Sequence, residues 1–200
     1  EIHQFHPYDE DGWIPIDYIW VRKISCQNPM CDLEIPMIRQ YWLAKKGKKR
    51  VCYYPIVNHE LKSIKYKILS GNEIKENNFD PSKGTIIRGN VTCPICNQVI
   101  ESKKVRETSF QKGLPTQMVA VVLKSPNQSG KKYRIANEYD YEHYQNAEKY
   151  LEEKESNWLF LETPYPNEKL PPIGTLGYRI QRYGYDTWDK IYNPRQKLSM

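Results

Sequence analysis

The sequence lacks any long apolar run, and this absence excludes an α-helical membrane span. Such a span needs about 18 or more consecutive apolar residues, and no segment of the 200-residue chain approaches that length. The first residues, EIHQFHPYDEDG, are polar and acidic and do not resemble a signal peptide. The glycosylation-type matches at Asn90 and Asn127 therefore carry little weight. We predict a cytoplasmic protein with no membrane partner.

Common catalytic and nucleotide-binding motifs are also missing. The sequence contains no P-loop, no G-x-G-x-x-G, no G-x-S-x-G and no H-E-x-x-H. Carboxylates are numerous in residues 138–155, but alternating charges on a helix typically form a solvated face. The sequence therefore predicts no catalytic residue.

Apolar residues are scarce. They make up 39% of the chain, whereas globular domains usually contain about 45–50%. The 16 Tyr and 5 Trp compensate, because each can bury a large area while keeping a polar group. We expect a folded chain whose hydrophobic core is small and needs an additional stabilising element. The net charge of +6 is a modest excess, compatible with a nucleic-acid partner and equally with ordinary solubility.

Short apolar and alternating segments predict a mostly antiparallel sheet. Residues 35–44 and 51–57 flank the basic loop KKGKKR, a pattern typical of a β-hairpin. Residues 64–69 alternate with period two, and residues 117–123, QMVAVVL, have the character of a buried central strand. Residues 178–184, YRIQRYG, predict one more strand.

One main helix is predicted at about residues 138–155. Asn137 is suited to cap its N-terminus. Asn193 followed by Pro194 has the composition of a second helix start. The residues that share one face of the main helix at helical spacing are Tyr141, Tyr144, Ala147 and Leu151. Strands and a helix together predict an α+β fold.

Four of the five cysteines form two close pairs. Cys26 and Cys31 are spaced C-x4-C, and Cys93 and Cys96 are spaced C-x2-C. Both spacings are typical of zinc ligands, because a tight turn directs two sulfur atoms at one point and two such turns complete a tetrahedron. Each pair borders a predicted strand. We therefore predict a structural zinc ion in a four-cysteine zinc ribbon, joined to the small antiparallel sheet and its main helix.

Three other interpretations of the cysteines remain open at this stage. A disulfide framework suits small secreted proteins, and nothing indicates secretion. A C-x2-C redox motif belongs in a βαβ setting that residues 93–96 lack. Four unrelated buried thiols are the third alternative. A closed site of four thiolates leaves no open position for water, so a catalytic zinc is not expected.

The remaining cysteine and two histidines have simpler interpretations. Cys52 lies in a strand-like run and is best interpreted as a small core residue. His3 and His6 are interpreted as surface residues and not as metal ligands.

The basic loop between the two hairpin strands is a candidate nucleic-acid site. Its cations are Lys45, Lys46, Lys48, Lys49 and Arg50. These cations could contact phosphates, while the neighbouring aromatic residues Tyr41, Trp42, Tyr53 and Tyr54 stack on bases. The alternative is a solvated turn with core aromatic residues behind it.

Three segments resemble adenine-specific DNA methylases that contain a zinc ribbon. They are DYIWVRKISCQNPMCDLEIPMIRQYWLAKK at 17–46, GTIIRGNVTCPICNQVI at 84–100 and GTLGYRIQRYGYDTWDKIYNPRQKLSM at 174–200. The resemblance implies that Cys26, Cys31, Cys93 and Cys96 are the metal ligands. Enzymes of this family carry an F-x-G-x-G loop for S-adenosylmethionine and a D/N-P-P-Y tetrad, and neither motif occurs here.

The resemblance therefore implies the inserted zinc-ribbon region of a larger enzyme. S-adenosylmethionine would bind the parent enzyme and not this region, and DNA would be the partner through that enzyme. We predict two regions, a zinc ribbon with an inserted hairpin at 1–112 and a strand and helix region at 113–200 that leads back to the enzyme core. The predicted role is to assist DNA binding or target positioning. The alternatives are a structural or protein-interaction module without DNA contact, and a free-standing nucleic-acid-binding zinc protein.

Overall fold

The computed structural model describes residues 2–9, 12–45, 49–157 and 165–200. Ten strands are described: β1 Ile14–Ser25, β2 Glu34–Met37, β3 Trp42–Ala44, β4 Val51–Asn58, β5 Ser63–Ser70, β6 Ile86–Ile87, β7 Asn90–Thr92, β8 Val99–Ile100, β9 Thr116–Lys124 and β10 Lys131–Ile135. Four α-helices are described: α1 Glu73–Glu76, α2 Ser102–Lys112, α3 Glu138–Asn157 and α4 Pro194–Lys197. The predicted α+β class, with antiparallel sheets and one main helix, is confirmed.

The largest sheet has the strand order β10-β9-β1-β2, and all of its pairs are antiparallel. β9 contains the apolar run predicted to be a central strand, and Val119, Ala120 and Val121 on it are almost fully buried. α3 packs on this sheet, where the Tyr141 hydroxyl donates to the carbonyl of Met118 at 2.7 Å. The sheet spans the boundary predicted at 112/113, because β1 pairs with β9.

The second sheet, β3-β4-β5, contains a hairpin on both sides of the basic loop. The first strand predicted at residues 35–44 is corrected: only Trp42–Ala44 pair with β4, whereas Glu34–Met37 pair with β1 in the largest sheet. Its inner face is aromatic: the Tyr41 ring lies 5.3 Å from those of Tyr53 and Phe79, measured between centroids. Tyr66 lies 5.7 Å from Tyr53. Edge-to-face and tilted ring pairs of this kind let tyrosine pack in this core beside its aliphatic residues.

The third sheet, β6-β7-β8, is small and is followed directly by α2. α2 presents only Val105 and Ser109 to the interior. Val105 belongs to the same buried cluster as Cys26, Cys31 and Cys93. The helix is thereby fixed against the cysteine-containing part of the fold.

The strand predicted at residues 178–184 is wrong. Residues Ile180–Tyr183 form a 3₁₀ turn, and Gly184 follows with a φ of 88°. The amide of Gly184 bonds the carbonyl of Gln181 at 3.1 Å, so this backbone satisfies its polar groups locally and not in a sheet. Ser109 Oγ also donates to the Tyr183 carbonyl at 2.9 Å, which holds the turn on α2.

An ion-pair network joins the ends of α3 and α4 to the main sheet. Arg134 on β10 pairs with both Asp9 and Asp140. Asn137 caps α3 as predicted, because its side chain accepts from the Asp140 amide at 3.2 Å. Arg195 on α4 is buried and donates to the Asp140 carbonyl at 3.2 Å.

The predicted helix start at Asn193 is confirmed by a complete capping box with Gln196.

Among the helices in the described ranges, none combines the length and the apolar character that a bilayer crossing demands.

Candidate metal centre

The four cysteines predicted as metal ligands lie together. The Sγ atoms of Cys26, Cys31, Cys93 and Cys96 are all within 4.8 Å of one another. Sγ of Cys26 lies 3.5 Å from that of Cys96, and Sγ of Cys31 lies 3.6 Å from that of Cys93. A disulfide bond requires a separation of about 2.05 Å, so these are contacts between free thiols. The group therefore has the composition and size to hold one metal ion.

Each cysteine pair occupies the turn of a β-hairpin. The first pair joins β1 to β2, and the second joins β7 to β8. The amide of Cys26 donates to the carbonyl of Leu33 at 2.8 Å. The amide of Cys93 makes the equivalent bond to Gln98 at 2.9 Å. In both hairpins the bond closes the turn on the residue two positions after the second cysteine.

The two turns share a second feature, at the residue directly after the second cysteine. Asp32 has a φ of 50° and Asn97 a φ of 59°. Asn and Asp tolerate this left-handed conformation better than other non-glycine residues. The left-handed residue reverses the chain at once, and the two sulfur atoms of each pair can then face the same point. Sequence reasoning missed these two positions, although their place and residue type are a usable signal.

A buried threonine holds the two hairpins together. Thr85 precedes β6, and its hydroxyl donates to the Pro36 carbonyl. The same oxygen accepts from the Ile38 amide at 2.9 Å. The Ile86 amide donates to the Ile38 carbonyl at 2.9 Å, which extends the contact along the chain. These bonds align the segment after β2 with the segment before β7, and so place both cysteine turns side by side.

The electrostatics of the thiols differ with their surroundings. Burial raises the pKa of Cys26 to about 12, and it also raises the pKa of Cys93. The pKa of Cys96 is lowered to about 7, because the backbone amide of Gln98 donates a hydrogen bond to its sulfur atom. Cys96 is the one member of the group that is only half-buried. A metal ion must displace the protons of the buried thiols to bind, so metal affinity falls as the pH is lowered.

The donor set limits what the centre can do. Four thiolates are soft ligands that favour zinc or iron–sulfur chemistry over magnesium or calcium. About 3.8 Å separates the sulfur atoms of an ideal tetrahedral zinc–thiolate site, close to the two shortest separations here. All four positions of such a site are filled by protein, which leaves none for water or substrate. The geometry therefore suits a structural metal and not a catalytic one.

The candidate nucleic-acid loop is only partly described. Lys46 and Lys48 lie outside the described residues. Lys45, Lys49 and Arg50 are exposed on either side of them, and Nζ of Lys45 lies 5.8 Å from the centroid of the Trp42 ring. The loop does extend from a hairpin, as predicted.

The aromatic residues next to this loop are not all available to stack on bases. Tyr41 and Tyr53 are buried in the second sheet's core. The Tyr53 hydroxyl bonds the Gln40 carbonyl at 3.2 Å, and Trp42 Nε1 donates to Ser82 Oγ at 3.0 Å. The expectation that all four rings stack on bases is therefore corrected for Tyr41 and Tyr53, whose apolar area is already used in folding.

The other residues with predicted roles are placed as follows. Cys52 is fully buried in the aromatic core, apart from the four-cysteine group, and burial raises its pKa to about 11. His6 is half-buried, with its ring centroid 5.9 Å from that of Tyr18. The side chain of His3 lies outside the described part of the structure.

Comparisons of this chain with protein families, with curated proteins and with solved structures find no match.

Proposed function

We propose that the four cysteines hold a structural zinc ion, and that the chain is a zinc-ribbon accessory domain of an adenine-specific (N6) DNA methyltransferase. In that enzyme it would assist DNA binding or target positioning. The observation that supports this most is the convergence of four free thiols, from two hairpins with equivalent turns, within 4.8 Å.

The zinc proposal explains how the thin core is stabilised. The buried cluster around Cys26, Cys31 and Cys93 draws its other residues from several strands and from one face of α2, and three of its members are the cysteines themselves. A zinc ion bound by four cysteines contributes on the order of 10 kcal/mol to folding. The ion would therefore join the two cysteine hairpins and add to the stability that the apolar residues of this cluster provide.

The methyltransferase proposal rests on the resemblance of residues 17–46, 84–100 and 174–200 to that family. The proposal is compatible with two contacts of residues 174–200: Tyr183 packs against the cysteine cluster, and the Arg22 guanidinium lies 4.8 Å from the centroid of the Tyr185 ring. Methyl transfer from S-adenosylmethionine, and extrusion of the target adenine from the duplex, would belong to the remainder of the enzyme. The domain proposed here would supply a rigid surface beside the DNA.

A structural or protein-interaction module without DNA contact is the second candidate. A specific observation favours it: Met30 in the first cysteine turn is 82% exposed, and Leu61 in the β4–β5 turn is 74% exposed. The two turns are joined where Lys62 Nζ donates to the Met30 carbonyl at 2.8 Å. Exposed apolar side chains on two adjoining turns are suited to contact with another protein surface.

DNA affinity and its salt dependence separate these two candidates. The zinc-loaded chain is titrated against a labelled duplex, and fluorescence anisotropy is followed at several salt concentrations. Phosphate contacts predict an affinity that falls steeply with salt. A chain that shows no binding even at low salt would contradict the DNA-binding proposal and favour the interaction module.

A further inference from the structure

The exposed face of α2 carries two cations, Lys103 and Arg106, that form no ion pair with any carboxylate in the described part of the chain. Lys103, Arg106 and Arg182 line one shallow groove of about 410 Å³ together with Glu107, Phe110 and Gln111. Within the described ranges, none of the three cations forms an ion pair. Among the described residues that line the groove, Glu107 is the one carboxylate, and it lies 3.9 Å from Lys104. The groove therefore has an excess of positive charge.

An exposed aromatic ring lies in this groove. Phe110 is 68% exposed, although phenylalanine is among the residues most often buried. Lys103, Arg106 and Phe110 occupy positions i, i+3 and i+7 of one helix, so they share a face. The opposite face holds the buried residues Val105 and Ser109. Burial of the helix therefore does not account for the position of the phenylalanine.

The fold brings the third cation to this face from a distant part of the chain. Arg182 belongs to the 3₁₀ turn Ile180–Tyr183. Ser109 Oγ bonds the carbonyl of Tyr183 at 2.9 Å. Gly184 follows so closely that a Cβ there would lie 3.5 Å from Cα of Phe110. Arg182 is thereby held beside the helix.

Helix α2, which carries most of the groove, is fixed to the part of the fold that contains the metal centre. Val105 packs in the same cluster as Cys26, Cys31 and Cys93, with Tyr183 against its edge. The side chain of Asn90, on β7, accepts a hydrogen bond from the Ser102 amide at 2.9 Å and so caps the helix. A surface fixed in this way loses little conformational entropy when it binds a partner.

We propose that the α2 groove binds an unpaired nucleic-acid strand, with Lys103, Arg106 and Arg182 on its phosphates and Phe110 stacked on a base. This proposal rests on the proposed DNA-binding function and gives it a second surface, apart from the loop at residues 45–50. Unpaired strands are recognised by a combination of cations that follow the backbone and aromatic rings that stack on bases. An acidic protein segment would satisfy the cations but would leave Phe110 without a stacking partner.

The test compares two triple variants of the zinc-loaded chain. The first neutralises the groove with Lys103→Gln, Arg106→Gln and Arg182→Gln. The second removes the same charge elsewhere on the exposed surface with Lys65→Gln, Lys75→Gln and Lys149→Gln. Each is titrated by anisotropy against a labelled single-stranded oligonucleotide of mixed sequence and against a duplex, over a range of salt concentrations. Thermal melting checks that both variants fold.

The groove variant is expected to lose about tenfold or more in affinity for the single strand at low salt. Its slope of log affinity against log salt is expected to fall by about 2–3, since each lost phosphate contact removes about 1. The control variant is expected to lose less affinity. Equal losses in the two triples would overturn the proposal, because they would show only a general charge effect.

Phe110→Ala removes the ring without changing the charge. We expect it to weaken single-strand binding by about fivefold or more and to leave duplex binding unchanged. An unchanged single-strand affinity would overturn the stacking role. Equal competition by polyglutamate and by the oligonucleotide would overturn the choice of nucleic acid.

The two proposals fail in different ways. Absence of any DNA binding by the unmodified chain would contradict the proposed function. A different result would overturn only the groove: DNA binding that persists in the variant with the three groove substitutions, but is lost when the basic loop is neutralised. The proposed function would then stand, with the binding surface at Lys45, Lys46, Lys48, Lys49 and Arg50.

Discussion

Sγ of Cys31 lies 3.6 Å from Sγ of Cys93, although 62 positions separate the two residues in the chain. The contact joins one hairpin turn to the other, and the whole β3-β4-β5 sheet lies in the chain between them. Closing a loop of this length has an entropic cost that grows only slowly with its length. A metal bound at this point would offset that cost.

Cys31→Ser is expected to remove metal binding and to destabilise the chain. Serine keeps the size of the side chain but provides no thiolate, so one of four ligands is lost and at least about 3 kcal/mol of stability with it. Metal analysis and thermal melting measure the two effects. The matched control is Cys52→Ala, in the other core, which keeps the metal and costs about 1 kcal/mol by the small cavity that it leaves. Equal melting temperatures for Cys31→Ser and the unmodified chain would contradict the structural role of the centre.

Gly84→Ala is expected to separate the two cysteine hairpins. A Cβ at residue 84 would lie 2.0 Å from the carbonyl oxygen of Ile38, which is backbone and cannot turn aside. We expect a loss of about 2–4 kcal/mol in the free energy of unfolding, measured by denaturant titration. Gly71→Ala is the control, since no atom lies within 4 Å of its added Cβ and only the φ of +53° is strained. That strain costs about 1 kcal/mol. A Gly84→Ala variant no less stable than Gly71→Ala would contradict the packing described here.

Tyr66→Phe is expected to leave stability unchanged or to raise it. The Tyr66 hydroxyl is buried, and among the described residues it has no hydrogen-bond partner. A buried hydroxyl without a partner carries a desolvation penalty of about 1–3 kcal/mol, which phenylalanine does not carry. Tyr53→Phe is the comparison, because it breaks the bond from Tyr53 to the Gln40 carbonyl and is expected to destabilise. The result is checked by chemical denaturation at neutral pH, and a clear loss of stability in Tyr66→Phe would show that the hydroxyl has a partner in solution.

Stability is expected to fall in alkaline solution. Burial raises the pKa of Tyr41 to about 12, and it also raises the pKa values of Tyr53 and Tyr66. The unfolded chain ionises its tyrosines at about pH 10, so above that pH the unfolded state binds fewer protons than the folded state. The contribution of these tyrosines to stability is therefore complete below about pH 10 and is lost as the pH rises towards 12.

Denaturant midpoints measured together with tyrosinate absorbance test this pH dependence. In the Tyr66→Phe variant, the loss of folding stability at alkaline pH is expected to begin at higher pH, because one of the buried ionisable groups is gone. A midpoint that is constant from neutral pH to about pH 12 would contradict the burial of this aromatic group.

The cysteine pairs and the central strand were predictable because their patterns are local. The spacing of Cys26 to Cys31 and of Cys93 to Cys96 defines two tight turns, and an apolar run of strand length defines β9. The capped starts at Asn137 and Asn193 are equally local. Each of these features depends on fewer than about ten neighbouring residues.

Other elements could not be predicted because their stabilising contacts are distant. α2 buries only Val105 and Ser109, so it has no apolar stripe to reveal it. β1 runs for 12 residues through Pro15, which is tolerated because the register shifts between Pro15 and Asp17. The role of Thr85 depends on its contact with residues more than 40 positions away.

The basic loop at residues 45–50 is the least determined part of the sequence prediction. Its lysines predict phosphate contacts by charge alone, and two of the tyrosines next to it, Tyr41 and Tyr53, proved to be core residues. Charge without geometry does not distinguish a solvated turn from a binding surface. The α2 groove could not be predicted from the sequence, because Arg182 lies beside Lys103 and Arg106 only in the folded chain.

Metal analysis of the chain, purified without added metal, shows whether the four cysteines hold zinc. We expect about one zinc per chain, and we expect Cys26, Cys31, Cys93 and Cys96 to be protected from thiol reagents until a chelator removes the metal. Protein that contains no zinc, and in which these four thiols are oxidised to disulfides, would contradict this expectation.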